Sequence, residues 1–501
     1  MTNSNDYNLL RELNLEIRGK ALSYGLDPFD VAFEVLTFAE MNEVAAFDGF
    51  PVRYPHWRFG MEFERLKRSY AYGLHKIYEM VINNDPCYAY LLEHNKLVDH
   101  KLVMAHVYAH SDFFKNNLWF SHTNRRMLDE MANHGARVRR YIDRFGAEDV
   151  ERFLDVCLSV DDLIDPNVAF DEELPIAFDG NQEEPVPLSR FRAKAYMDHF
   201  VNPPDVLDAE RERWEQEREE RKFPLQPQRD VLYFLLANAP LKDWQADVLA
   251  MAREESYYFL PQRQTKIMNE GWAAYWHSRI MTESGVLEPD EVVDYADHHS
   301  GTLATSAGQL NPYKMGVELF RDIEERWNKG RFGLEWERNT DMAARRTWDQ
   351  QLGLGQEKIF EVRKIFNDLG FIDTFLTKEA VLDSKLFVYD EIEDDGETWY
   401  QIVSRDFDRV KRTLLTQLTN GGRPIILVED GNFRNRGELL LHHQHDGVEL
   451  DVDYAQATLA NVQRLWSRPV HVATLREDEP MLLTFDGTEH SESEFKDPAP
   501  S

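Results

Sequence analysis

Residues 99–117 read DHKLVMAHVYAHSDFFKNN. Wound as an α-helix, this stretch places Leu102, Ala105, His106, Ala109, His110 and Phe113 on one face, at i, i+3, i+4, i+7, i+8, i+11 spacing. Both histidines then point inward. Two imidazoles one turn apart can offer adjacent nitrogens to a single metal ion, and a buried imidazole without a partner carries a desolvation cost. The alternative is that each ring donates to a backbone carbonyl or a carboxylate in a wet core. The same texture extends outward from this helix. From Tyr7 to about Phe145 the apolar residues recur at helical spacing, with breaks at Asp27-Pro28, Asp48-Gly49, Tyr54-Pro55, Asp85-Pro86 and Gly146, so this part is expected to be helical.

The chain has 501 residues, 57 Lys+Arg against 90 Asp+Glu, a net charge of −33 and only two cysteines. With 43% hydrophobic and 12% aromatic residues it can bury large cores. No uninterrupted apolar run reaches the roughly 18 residues that a membrane-spanning helix needs, so no membrane insertion is expected. The N-terminus lacks the pattern of a signal peptide, and Cys87 and Cys157 make no disulfide framework, which points to a cytoplasmic setting and a buried, inert role for both thiols. Such an excess of negative charge repels phosphodiester backbones, and no nucleic-acid partner is expected.

Residues 1–164 are expected to form the first half of a helical core, and residues 230–373 the second half, with Pro261, Pro289 and Pro312 where helices start or stop. Between them, 165–229 reads as an irregular excursion leading into a charged helical linker, LDAERERWEQEREERK. From 374 to 485 the texture changes to short β-rich runs (LFVYDEI, TWYQIVS, RPIILVE, GELLLHHQ, PVHVATL, MLLTF) around two helical patterns, an α+β module. Residues 486–501 read as a disordered acidic tail.

A second chemical stretch is TKIMNEGWAAYWHSRIM, 265–281, where Ile267, Glu270, Ala274, His277 and Met281 share a face, with Gly271 and Ala274 leaving room for a neighbouring helix. A carboxylate on a buried stripe needs a cation. The Asn-Glu-Gly-x-Ala string resembles the helix by which gluzincin aminopeptidases supply their third zinc ligand, but Val107 follows His106 where those enzymes carry the water-activating glutamate of HExxH. His106, His110 and Glu270 can still be assembled as a His₂Glu set for a divalent ion, with zinc the first candidate. The proton-handling group would then be Glu43 or His277. VAFEVLTFAEMNEVAAF, 31–47, reads as an early helix with Leu36, Ala39, Glu40, Glu43 and Phe47 along one stripe, where desolvation would raise a carboxylate's pKa; pairing of Glu40 and Glu43 with Arg53, Arg58 or Arg65 is the alternative. EMANHGARVRR and DYADHHSGTLATS carry further histidines suited to capping or packing.

Taken together, FPVRYPHWRFGMEFERL, AHVYAHSDFFKNNLWF, TNRRMLDEMANHGARVRRYIDRFG, MNEGWAAYWHSRIM, ADHHSGT and LNPYKMGVELFRDIEERWNKGRFG resemble the SpoVR family, the stage V sporulation protein R family. The expected fold is a mainly α N-terminal helical domain, zincin-like in part, followed by a small α+β C-terminal domain. The family name implies spore cortex formation, although relatives occur in bacteria that never sporulate. The resemblance also implies a stress or sporulation-related pathway shared with a PrkA-type AAA+ serine kinase and a YhbH/YeaH-type protein with a von Willebrand A-like domain. It supplies no reaction. Two functions are open: a metal-dependent hydrolase of amide or peptide bonds, or a non-catalytic scaffold or regulatory partner of those two proteins.

Overall fold

The helix Leu97–Asn116 (α3) is buried along nearly its whole length, from Val98 to Phe114, with its polar residues His106, His110, Ser111 and Asp112 inside as well as its apolar ones. The structure is a computed structural model that describes residues 4–71, 80–168, 197, 201–209, 211, 222–305, 309–394 and 397–495. It resolves into two units: residues 1–144 with 258–422, and residues 145–257 with 423–501.

In the first unit, α3 packs against α1 (Ser4–Ser23), α4 (Lys266–Glu283), α5 (Val292–Thr302) and α7 (Gly355–Ile365), and α4 packs in turn against α6 (Pro312–Lys329). The core they share is rich in large rings, among them Tyr108, Phe113, Trp272, Tyr275, Trp276 and Phe320. Gly271 on α4 and Gly316 on α6 let these two helices meet backbone to backbone, since a Cβ on either would overlap the other chain segment. The N-terminus of α4 is held by Asp368, the first residue of α8 (Asp368–Phe375). Its carboxylate accepts from the Ile267 and Met268 amides, at 2.8 Å each, and satisfies two of the first-turn donors. A second buried carboxylate, Asp112 on α3, accepts from the Asp27 amide at 2.7 Å and from Trp272 Nε1 at 2.9 Å, so three separate segments are tied together below His110.

The early part is not wholly helical. Residues Val31–Leu36 form a strand, β1, parallel to β3 (Cys87–Leu92), with Val81–Ile82 (β2) antiparallel on the other side of β3. The expected helix over 31–47 therefore starts only at Phe38, as α2 (Phe38–Ala46). Thr37 caps it and Glu40 reaches back to the Thr37 amide, a complete capping box. Residues 374–422 also belong to the first unit. There β4 (Val388–Asp394) and β5 (Glu397–Ser404) pair as a separate two-stranded sheet, followed by α9 (Phe407–Leu418).

The second unit contains a five-stranded sheet in the order β10-β9-β8-β7-β6, built from Ile426–Phe433 (β6), Glu438–His443 (β7), Val470–Arg476 (β8), Glu479–Phe485 (β9) and His490–Glu494 (β10). Only the β7–β8 pair is parallel, joined by the crossover helix α10 (Val452–Trp466). Leu459, Val462, Leu465 and Trp466 of α10 are buried, as are Leu439, Leu441, Val470 and Val472 of the strands, and Phe234 of the helix Val231–Asn238 lies 5.7 Å from the Trp466 ring. The mainly helical N-terminal part and small C-terminal sheet match the expected fold class. Part of the stretch expected to be a disordered tail, His490–Glu494, is the edge strand β10. The excursion 165–229 and residues 496–501 lie largely or wholly outside the described residues.

Candidate metal centre

Because α3 and α4 run side by side, residues one turn apart on each helix meet across a shared seam. His106 and His110 come from α3 and Glu270 from α4. Glu270 Oε2 lies 3.7 Å from His106 Nε2 and 3.4 Å from His110 Nε2. These separations exceed those of a normal charge-assisted hydrogen bond, about 2.7–2.9 Å. They fit the edge of a coordination polyhedron: ligands about 2.1 Å from a tetrahedral ion are themselves about 3.4 Å apart. Among the described residues, these three side chains form a group that could hold a metal ion. Both imidazoles are buried, and the Glu270 side chain retains 18% exposure.

The far sides of the rings sharpen the geometry. His110 Nδ1 lies 2.9 Å from Asn269 Oδ1, an oxygen that only accepts, so Nδ1 carries the hydrogen and Nε2 of the neutral ring is a lone pair facing Glu270. Burial pushes the Glu270 carboxyl up, and only a positive charge on the facing imidazoles offsets this and holds the group below the usual carboxylate range. Its Oε2 is buried and makes no hydrogen bond of normal geometry among the described residues. A carboxylate and an imidazole lone pair this close repel unless a cation lies between them or the ring is protonated. Asn269 thus orients His110 from the far side of the ring, as an outer acceptor does for a metal-binding imidazole.

His277 does not face an open position. Its Nδ1 is 2.7 Å from His106 Nδ1 and its Nε2 is 2.9 Å from His299 Nδ1 on α5. Burial, and then the neighbouring histidines and Arg321, push its pKa well below the ordinary value. With 2% exposure and both nitrogens engaged by other imidazoles, His277, expected from the sequence as a proton-handling group, lies in a buried row rather than at an open position. His298 is used as well: its Nδ1 sits 2.6 Å from Asp99 Oδ1 on α3. The ring of Tyr313, in the first turn of α6, lies 6.2 Å from that of His106, brought there by the Gly271–Gly316 approach.

Glu43, the other expected proton acceptor, is an exposed residue of α2 and is not gathered with the buried cluster. Because the chain before Phe38 is a strand, the stripe that would have turned Glu43 inward does not exist. Glu40 is likewise exposed; its carboxylate accepts from the Thr37 amide and hydroxyl, and the amide bond first, then the hydroxyl, holds its pKa low. Arg53 pairs with Asp48, and Arg65 with Glu62. Sequence reasoning did not identify Asn269 and His299 as partners of the cluster. Asn269 was legible as the polar residue beside Glu270, whereas nothing local ties His299 to a helix more than 20 positions earlier.

A helical protein with a two-histidine, one-glutamate cluster on the seam of its central helices is the class that fold and site define. The chain belongs to the SpoVR family: the family described as SpoVR like protein matches residues 4–423, and the SpoVR-like C-terminal domain matches 424–477. It is 29% identical over 506 residues to a protein of Escherichia coli (strain K12) described as uncharacterized protein YcgB, covering 94% of this chain and 93% of that one. No solved structure matches it. No helix among the described residues is long and apolar enough to cross a membrane.

Proposed function

We propose that this SpoVR-family chain is a metal-dependent hydrolase of amide or peptide bonds, with His106, His110 and Glu270 as ligands of one divalent ion, zinc by preference. The observation that carries the proposal is the convergence of Glu270 Oε2 on the Nε2 atoms of His106 and His110, at 3.7 and 3.4 Å, spacings that fit ligands around one cation. Such an ion supplies Lewis acidity, polarising a carbonyl and bringing a coordinated water's pKa toward neutrality. The chain's own residues hold the ligands and exclude bulk water: both imidazoles are buried and only Glu270 reaches toward solvent. Since Val107 replaces the HExxH glutamate, turnover is expected to be slower than in enzymes that have this base. Incubation of the zinc-loaded chain with a mixed peptide library, followed by mass spectrometry, tests the activity. We expect new termini that disappear in Glu270→Gln; their absence with the wild type, or persistence in the variant, contradicts a hydrolase.

A second reading, a docking partner for a PrkA-type AAA+ kinase and a von Willebrand A-like protein, draws on a different feature. The β4–β5 hairpin leaves Ile392, Trp399, Tyr400, Ile402 and Val403 exposed, in a stretch with six acidic and no basic residues between Lys385 and Arg405. Exposed apolar surface rimmed by charge commonly marks an interaction face. Binding to the purified kinase, compared with a Trp399→Ala/Ile402→Ser variant, tests this reading; no binding, or no loss in the variant, contradicts it.

A further inference from the structure

Three imidazoles lie in a row from the candidate centre to α5. His106 Nδ1 meets His277 Nδ1 at 2.7 Å, and His277 Nε2 meets His299 Nδ1 at 2.9 Å. Each neutral ring has one donor and one acceptor nitrogen, so the row is self-consistent in only two directions. In the first, His106 donates to His277 and His277 donates to His299, which leaves His106 Nε2 as a lone pair facing Glu270. In the second, His299 donates to His277 and His277 to His106, which puts a hydrogen on His106 Nε2 and blocks it as a ligand. All three rings shift together, and no proton is gained or lost overall.

The structure assigns His277 and His299 as positioning residues that set which nitrogen of His106 carries its hydrogen, through a hydrogen-bond chain whose direction is coupled to occupancy of the centre. The inference rests on the proposed metal site and adds to it a residue, His299, that touches none of the three ligands. His110 needs no such chain, because Asn269 Oδ1 can only accept and fixes its ring in a single neutral form. The two ligand histidines are therefore prepared differently: one permanently, the other through a reversible row ending on α5. That helix is itself fastened to α3 by the His298–Asp99 contact, which keeps His299 in register with His277. His299 also stacks on Tyr295, with ring centroids 5.6 Å apart at 15°, so its orientation is fixed by packing as well as by the hydrogen bond.

Outer partners of metal-bound histidines typically carry 10–100-fold in affinity. The test is zinc affinity by competition with a chromophoric chelator on the full chain, together with nitrogen-15 tautomer shifts of His277 and His299 with and without zinc. We expect His299→Phe to weaken zinc binding about 10-fold and His299→Gln, whose amide oxygen can still accept, to restore most of it. In the zinc-loaded wild type, both His277 and His299 should carry hydrogen on Nε2 and a lone pair on Nδ1. Zinc bound by the wild type with unchanged affinity in His299→Phe, or His277 protonated on Nδ1 in the loaded protein, overturns the chain while leaving the metal site standing. Failure of the wild type to bind zinc overturns the site and the chain with it. Circular dichroism on each variant separates these outcomes from loss of fold.

Discussion

At the scale of single residues, a buried histidine contributes to how the protein responds to acid. His100 on α3 is 5% exposed and its Nδ1 has no hydrogen-bond partner among the described residues. Burial pushes its pKa below the ordinary value, with the Asp99 charge opposing. The unfolded chain takes up a proton near pH 6.5, about where an unperturbed imidazole titrates, before the folded chain does. This contribution to stability is therefore complete above that pH and is lost progressively as pH falls from there through the lower pKa of the folded chain. Thermal unfolding should show a midpoint that drops from about pH 7.5 to about pH 5.5, and His100→Gln should reduce the drop. An unchanged pH dependence in that variant contradicts the assignment. The cysteines are expected to be inert: both are buried, and desolvation raises both thiols. Alkylation of the native protein should modify neither until it unfolds.

At the scale of elements, the seam between α3, α4 and α6 depends on two glycines and one carboxylate. Gly316→Ala should destabilise by about 1–3 kcal/mol or more, since the added methyl meets backbone that cannot swing aside. Asp368→Ala strands the Ile267 and Met268 amides in the core and should cost about 1–3 kcal/mol, with Asp368→Asn costing less; urea titration of the three variants checks both. How far these elements could be read in advance follows from how local their causes are. The stripes of α3 and α4 are period-3.6 patterns within one segment, which is why the inward direction of His106, His110 and Glu270 is legible in the sequence alone. The boundary at Thr37 was also local, a Thr-x-x-Glu signature, but the apolar run before it suited helix and strand equally. That ambiguity turned β1 into helix and drew Glu43 into the site. The α3–α5 contact, and with it the role of His299, is set by tertiary packing and leaves no periodic trace.

For the whole molecule, the division into two units separates the candidate chemistry from the C-terminal sheet. The ligands, Asn269 and the imidazole row all lie in the first unit, while the five-stranded sheet lies in the second. The β4–β5 hairpin shares the first unit with the ligands, but Trp399 is solvent-exposed, so Trp399→Ala is expected to change stability by no more than about 0.5 kcal/mol while keeping bound metal at the wild-type level. The most direct measurement of the central claim is elemental analysis of the purified full-length chain beside a His106→Ala/His110→Ala double variant of verified helical content. The account predicts about one equivalent of a divalent transition metal per wild-type chain and none in the variant. A wild type without metal under every growth condition, or a variant that retains it, would contradict the claim that these side chains enclose a cation.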